Sequence, residues 1–438
     1  MTPPTSGDAG SPGSVTASLR SLGIEPTATF FVPGRIEVLG KHTDYAGGRS
    51  LLCCTEQGFS VAAGAGAPGM MEVVDVDGGR RVRLPLVPES GGNATGWELY
   101  PATVAARVAR DFPGIQGGAT LSFSSTLPAA SGMSSSSALV VSVFLGVAAG
   151  CGLHRREDFQ ALFGKGIRGG RQDRERLADY LAAVESGRPY AGLGGGAGAR
   201  GVGTDGGSED HTAILCGEAG SLVRYSFRPT RAEGSVPLPP GWVLAVAASG
   251  VLAEKAAGAR EAYNRLSDEV GRIAALWRRE TGGSEPHPGA ILASAPGARD
   301  RLERILAVAG EGALLARFRQ FAMESDELIP AAAEALERGE LDSFGEVVAR
   351  SQAGAEGVLH NQLPETVHLV RNAGRLGAPA SSAFGAGFGG AVWALTPREG
   401  VEAFLAAWKT GYLDHFPEHG PGCRFLWTGC GGAAAQES

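Results

Sequence analysis

The sequence predicts a two-domain protein that mixes strands and helices, and three observations lead there. At 438 residues the chain exceeds what one core ordinarily holds, so two domains are the default. Its first half is rich in short apolar runs bounded by turn residues, whereas residues 299–375 are dominated by helical patterning, with Gly310 and Gly339 as punctuation. Between the two, Pro237-Leu238-Pro239-Pro240 marks a crossing from one unit to the next. The expected division is a tail at 1–27, domains at 28–236 and 237–431, and a tail at 432–438.

Taken in order, residues 28–32 read as a strand entering a turn at Pro33-Gly34, and 36–39 continue extended. Residues 40–48, GKHTDYAGG, form a polar loop. Residues 50–55 and 59–63 look like strands, and 71–76 with 81–84 like a hairpin across Gly78-Gly79. Residues 100–112 have helical periodicity, 119–123 form a strand, and 139–149 an apolar helix. Helices follow at 158–163 and 174–184, the second ending near Gly187. A glycine-rich segment, 192–207, leads into SEDHTAIL (208–215), whose alternation is strand-like. Residues 222–227 and 242–249 are strands, 256–278 a long helix and 282–298 a linker. A glycine-rich loop at 383–390, a strand at 391–395, a helix at 401–410 and a strand at 423–428 close the chain.

Composition narrows the function. The chain is 43% hydrophobic and 19% charged, as soluble enzymes are. A net charge of -7 argues against nucleic acid or an anionic membrane as partner. No apolar run reaches the ~18 residues of a membrane span. The N-terminus, MTPPTSGDAGSPGS, lacks the pattern of a secretory signal and reads as a disordered tail. Cys53, Cys54, Cys151, Cys216, Cys423 and Cys430 form no CxxC pair and show no zinc spacing, which suits reduced thiols in a cytoplasmic protein.

Four stretches carry candidate chemistry. The first is 127–139, LPAASGMSSSSAL, running into the apolar helix. Amides at a helix start point outward unpaired, and the dipole adds positive charge there. Gly132 and the amides of Met133, Ser134, Ser135 and Ser136 could therefore cradle phosphates, with a serine hydroxyl on Mg²⁺. The same serines would also serve simply to cap a buried helix. No Walker A motif occurs anywhere. The second stretch is 33–48, which gathers Arg35, Lys41, His42, Asp44 and Tyr45, the mixed donors and acceptors a carbohydrate needs. The third is 205–215: one of Asp205, Glu209 and Asp210 could accept a hydroxyl proton during phosphoryl transfer, or all three could be turn formers. A cation such as Arg35 would lower that acid's pKa. The fourth, GAGFGG at 385–390, satisfies GxGxxG but lacks the helix that dinucleotide binding needs, so a tight loop admitting a close backbone is expected.

Three of these stretches, in order, resemble the GHMP kinases, the small-molecule kinases named for galactokinase, homoserine kinase, mevalonate kinase and phosphomevalonate kinase. Residues 33–48 are similar to the galactokinase signature Gly-Arg…Gly-Glu-His-Thr-Asp-Tyr-Asn-Gly-Gly. Residues 128–138 are similar to the family's Pro-x3-Gly-Leu-Ser-Ser-Ser phosphate loop, and 384–390 to its third motif, Thr-Gly-Gly-Gly-Phe-Gly-Gly. The resemblance implies a two-domain α+β fold, N-terminal like ribosomal protein S5 domain 2 and C-terminal ferredoxin-like, with ATP and a sugar meeting in the cleft. It implies Asp210 as catalytic aspartate with Arg35 beside it, and Gly132 to Ser136, Trp97 and Tyr100 around ATP. Mg²⁺ would fall to Ser136 and Glu185, and the sugar to Lys41, His42, Asp44 and Tyr263. The activity implied is a galactokinase-like sugar 1-kinase. Departures accompany it. Lys41 stands at the glutamate that contacts the sugar's C6 hydroxyl, which could favour a uronic acid. His211 replaces the glutamine of Met-Asp-Gln, and Ser382 an arginine before motif three. A sugar and ATP sensor without turnover is the reading of another class.

Overall fold

The computed structural model describes residues 12–90, 92–128, 132–193, 201–251 and 258–437. The strands are β1 (Ala28–Leu39), β2 (Arg49–Gly66), β3 (Met70–Asp75), β4 (Arg80–Pro85), β5 (Gly118–Ser125), β6 (Ser221–Ser226), β7 (Arg231–Pro237), β8 (Trp242–Ala248), β9 (Ser381–Phe384), β10 (Ala391–Pro397), β11 (Arg424–Thr428) and β12 (Ala435–Glu437). The helices are α1 (Pro12–Ser21), α2 (Leu99–Asp111), α3 (Ser135–Gly150), α4 (Glu157–Phe163), α5 (Arg171–Ser186), α6 (Glu209–Cys216), α7 (Ala259–Thr281), α8 (Pro288–Ser294), α9 (Ala298–Val308), α10 (Gly312–Ala322), α11 (Ile329–Glu337), α12 (Leu341–Gly354), α13 (Pro364–Arg375) and α14 (Val401–Leu413). No helix among the described residues is long and apolar enough to cross a membrane.

Two sheets organise the chain. The first has eight strands in the order β12-β1-β2-β5-β3-β4, with β6 on β2 and β7 on β6. The second is β11-β8-β10-β9, antiparallel throughout. Counted along the chain, its strands stand 4-1-3-2, the order of a ferredoxin-like split βαβ. Helix α3 lies under the first sheet. It is apolar all round, and Leu139, Val140, Val143 and Phe144 are buried, as such a helix must be. Helices α13 and α14 cover the second sheet, where Leu369, Leu405 and Trp408 share a core with Val243 and Val392.

Several expectations are corrected. Pro33-Gly34 does not end a strand: β1 runs on, with register shifts against β2 between Pro33 and Arg35 and between Glu37 and Leu39. Such bulges re-aim side chains without breaking a ladder. Residues 208–215 form helix α6, not a strand. A short apolar run buried on all sides does not reveal its period, and acidic Glu209 and Asp210 suit a helical first turn. The linker at 282–298 contains α8, with Pro288 at its first position. Neither tail is wholly a tail. Ala435–Glu437 pairs with β1. Helix α1 buries Val15 and Leu19 against Ala62, and Ser122 Oγ donates to the Val15 carbonyl at 2.7 Å. Residues 1–11 and 438 lie outside the described residues.

Because Leu19 is fully buried beneath β2, Leu19→Ala is expected to lower unfolding free energy by about 2–5 kcal/mol in a denaturant titration. A change below ~0.5 kcal/mol would mean that α1 is not docked in solution.

Candidate active site

Arg35 and Asp210 meet where the β1 bulge faces the first turn of α6. Arg35 Nε and its second terminal nitrogen each lie 2.7 Å from Asp210 Oδ1. The other terminal nitrogen donates to the Gly132 carbonyl at 2.7 Å. The guanidinium also stands 6.0 Å from the centre of the Phe384 ring, at the end of β9. Arg35 is 4% exposed. The Asp210 side chain is 29% exposed, so the carboxylate is the open end of the pair. Burial works to raise the Asp210 pKa, but the charge of Arg35 and the hydrogen bond from Ser134 prevail and hold it below the usual range.

The serine loop is tied to the same carboxylate. Ser134 Oγ donates to Asp210 Oδ2 at 2.5 Å, and Ser137 Oγ lies 3.3 Å from that atom. Ser134 precedes α3 in a left-handed conformation, φ 54°. Its hydroxyl reaches Asp210 rather than capping the helix. Left-handed backbone in a non-glycine residue marks local strain, and such strain gathers at functional sites. Helix α3 begins four residues earlier than the apolar pattern suggests, so Ser135 and Ser136 occupy its first turn. Gly132 is also left-handed, φ 71°, and Met133 is buried with its carbonyl accepting from the Arg35 amide at 3.2 Å. Residues 129–131 of this loop lie outside the described residues.

The 40–48 loop sits over helices from the second half of the chain. His42 is left-handed, φ 57°. Its Nε2 donates to the Ala386 carbonyl at 3.1 Å, which leaves Nδ1 to accept from the Tyr45 hydroxyl at 2.8 Å. Burial first, then the charge of Arg317, lowers its pKa to about 3, so the ring is neutral. Tyr263 on α7 packs against His42 with ring centres 5.2 Å apart. Arg317 on α10 donates to the His42 carbonyl at 2.8 Å. Asp44 Oδ1 accepts from the Tyr45 amide at 2.7 Å and Oδ2 from the Glu209 amide at 3.3 Å. A Cβ at Gly207 would sit 2.2 Å from Asp44 Oδ2, so only glycine lets the chain pass there. Of the other two candidate acids, Glu209 is buried on Ser50 Oγ and Asp205 is exposed, with its amide on Asn264.

Lys41 stands elsewhere than the sequence suggests. It is 1% exposed and its Nζ donates to the Ala383 carbonyl on β9 at 2.8 Å. The loop's turn is held by Glu324, which accepts from the Gly40 amide at 2.9 Å and from Ser351 Oγ at 2.8 Å. Glu324 lies in a π-helical turn, Met323–Leu328, and π turns often mark functional positions. Glu37 and Glu209 are both buried beside Arg35, and burial before any other cause pushes both carboxyl groups upward. Arg317, Glu324 and Glu37 were missed by sequence reasoning. Only Glu37, two residues past Arg35 in a strand, carried a local signal.

Glu185 and Trp97 complete the placements. Glu185 Oε2 lies 3.0 Å from His211 Nε2. Trp97 packs edge-on to Phe123 and under Arg80, 5.0 Å from its guanidinium, beside the strand that enters the serine loop. Tyr100 is half-buried in the first turn of α2, against the first core.

Burial raises the Glu37 pKa from 4.5 to about 7, with Lys41 and Arg35 opposing. Such an acid favours the folded state below its unfolded pKa, and that contribution is lost as pH rises through about 7. Glu37→Gln should therefore gain thermal stability relative to wild type between about pH 5 and about pH 8. Unfolding midpoints that differ by a constant across this range would show Glu37 ionised throughout.

Residues 20–65 match the galactokinase galactose-binding signature, and residues 100–188 match the GHMP kinases N terminal domain. The chain is 28% identical over 411 residues to a galactokinase of Chloroflexus aurantiacus, covering 89% of each protein. It is 26% identical over 402 residues to one of Streptomyces coelicolor, covering 90% of this chain and 91% of that protein. The fold is shared with Lactococcus lactis galactokinase complexed with galactose, at a TM-score of 0.74, 22% identity, and coverage of 96% and 98%. Methanococcus jannaschii mevalonate kinase aligns at a TM-score of 0.54, 13% identity, and coverage of 92% and 98%. The Arg35 loop lies inside one matched segment and the serine loop inside the other, so the chain is similar to the GHMP kinases, and to galactokinases among them, at both loops that meet around Asp210.

Proposed function

We propose that this protein is an ATP-dependent sugar 1-kinase that moves the γ-phosphoryl group of ATP to the anomeric hydroxyl of a neutral hexose of the galactose type. The observation that carries it is the junction of Arg35, Asp210 and Ser134. One carboxylate, ionised and open on one side, lies between the galactose-signature loop and the phosphate loop.

Asp210 is held below the usual carboxylate range, which makes it a weak base before transfer begins. It aligns the sugar hydroxyl and takes its proton as negative charge grows on the attacking oxygen. Arg35 offsets the charge at that centre. The first-turn amides of α3, at Ser135 and Ser136, are offered to the nucleotide's phosphates. Trp97 and Tyr100 would stand by the nucleotide. Mg²⁺ would be held by Ser136 and Glu185. Glu185 Oε2, buried and without a hydrogen-bond partner, fits a cation ligand. When bound, the ion would neutralise phosphate oxygens. Since phosphoryl transfer is mostly positioning and electrostatics, this set is chemically sufficient.

His42, Asp44 and Tyr263 would meet the sugar. The uronic-acid alternative rested on a free cation at Lys41, and the ammonium is buried on the Ala383 carbonyl with Glu37 nearby. That favours the neutral substrate.

Asp210→Asn is expected to cut kcat by about 10²–10⁴ in an ADP-coupled assay. Retention of the wild-type rate would remove Asp210 from the chemistry. Across a panel of hexoses, pentoses and uronic acids, galactose should outpace galacturonate and glucuronate. The reverse order would restore Lys41 as a selector, and no ADP release with any sugar would favour the sensor.

A further inference from the structure

The contact between Glu185 and His211 has an unusual geometry. Glu185 Oε2 and His211 Nε2 lie 3.0 Å apart. That is an ion-pair distance, but the two atoms are not aligned as a hydrogen bond, and among the described residues His211 Nδ1 has no hydrogen-bond partner. Both residues are nearly closed off from solvent: His211 is 2% exposed and Glu185 9%. A buried imidazole that makes no aligned hydrogen bond at either nitrogen is costly, and a structure that keeps one usually has another partner for it.

A cation would supply that partner. Two neighbouring ligands at right angles around an octahedral ion, each about 2.1 Å from it, are separated by about 3.0 Å. The Glu185–His211 span therefore fits one edge of a coordination shell, with both lone pairs left free. Glu185 ends α5 and His211 sits in the first turn of α6, directly after Asp210, so the edge borders the candidate active site. Among the described residues no third His, Cys, Asp or Glu completes a protein-only cage. The remaining positions would fall to nucleotide phosphate oxygens, a hydroxyl and water, as in other phosphotransfer sites.

We propose that His211 is a nitrogen ligand of the divalent ion that accompanies the nucleotide, so that this kinase binds first-row transition ions, Mn²⁺ among them, more tightly relative to Mg²⁺ than an all-oxygen site would. The proposal rests on the assignment of Glu185 to that ion. Its basis is ligand chemistry. Mg²⁺ takes oxygen ligands, whereas a site with an imidazole ligand favours first-row transition ions in the order that rises from Mn²⁺ through Fe²⁺ to Ni²⁺. Where the family pattern has glutamine, whose side chain offers an oxygen, this chain offers a nitrogen base.

The test uses the full-length protein with Mn²⁺ and the non-hydrolysable β,γ-methylene analogue of ATP. Pulsed electron paramagnetic resonance reads both phosphorus and nitrogen bound to the ion. Phosphorus coupling together with a directly bound nitrogen is expected, and the nitrogen signal should change its isotope pattern when the protein is labelled with ¹⁵N-histidine. That labelling needs no substitution, so folding is not in question. In His211→Gln the nitrogen signal should vanish while phosphorus coupling stays. The Mn²⁺-over-Mg²⁺ affinity ratio should then fall about tenfold. Phosphorus coupling without histidine nitrogen in the wild type would overturn the proposal and leave the Glu185 assignment standing. An unchanged metal preference in His211→Gln would also overturn it. Loss of phosphorus coupling in Glu185→Gln would support the underlying assignment. Its persistence there, with no histidine nitrogen in the wild type, would overturn both.

Discussion

The buried guanidinium of Arg35 is the constraint on which the rest of the site depends. It touches three parts of the chain that are remote in sequence: Asp210 in α6, the Gly132 carbonyl in the serine loop and the Phe384 ring at the end of β9. An arginine so enclosed must keep its anion, since a buried charge left without its partner costs about 3–5 kcal/mol. Taking two charges out of water earns little net stability. The pair makes sense as positioning. One cation fixes where the carboxylate, the phosphate loop and the second sheet stand, and it leaves the outer side of Asp210 free for a substrate.

The surrounding charges follow from that choice. Glu37, Asp44 and Glu209 are all buried near Asp210, and burial before any other cause pushes each of them up. These upward shifts favour the neutral forms and so work against a build-up of negative charge where a triphosphate must approach. His42 is neutral for the complementary reason: burial and Arg317 both oppose its protonation. What remains around the 40–48 loop is a set of hydrogen-bonding groups with little net charge. Such a surface suits a neutral polyhydroxy substrate better than an anionic one.

Much of this was legible in the sequence because it is local. The strand-loop-helix order around β5 and α3, the hairpin of β3 and β4, and the grouping of Arg35, His42 and Asp44 all come from contiguous residues. What was hidden arises from distance or from burial on all sides. The π turn that presents Glu324 to the Gly40 amide is set by packing between helices, which no local pattern announces. Helix α6 looked like a strand because its apolar residues are buried on every face, which erases the helical period. The docking of α1 and β12 depends on surfaces formed by residues far along the chain. For Lys41 the residue type was readable, but the direction of its side chain was not.

Lys41 and His211 are both departures from the family pattern, and the structure treats them in opposite ways. A lysine at a glutamate position looks like a new recognition element, yet its donor is taken up by the Ala383 carbonyl and its charge faces Glu37. The reversal is absorbed inside the protein, where it joins the first sheet's loop to the second sheet. A histidine in place of glutamine looks milder, since both are polar and of similar length. Among the described residues His211 nonetheless makes no hydrogen bond at either nitrogen, and its 3.0 Å contact with the Glu185 carboxylate is not aligned as one. A buried substitution is functionally silent when its polar atoms are satisfied within the fold, and it points outward to a ligand when they are not. By that criterion the chain's divergence from its relatives lies less in the sugar it accepts than in the ion that accompanies the nucleotide.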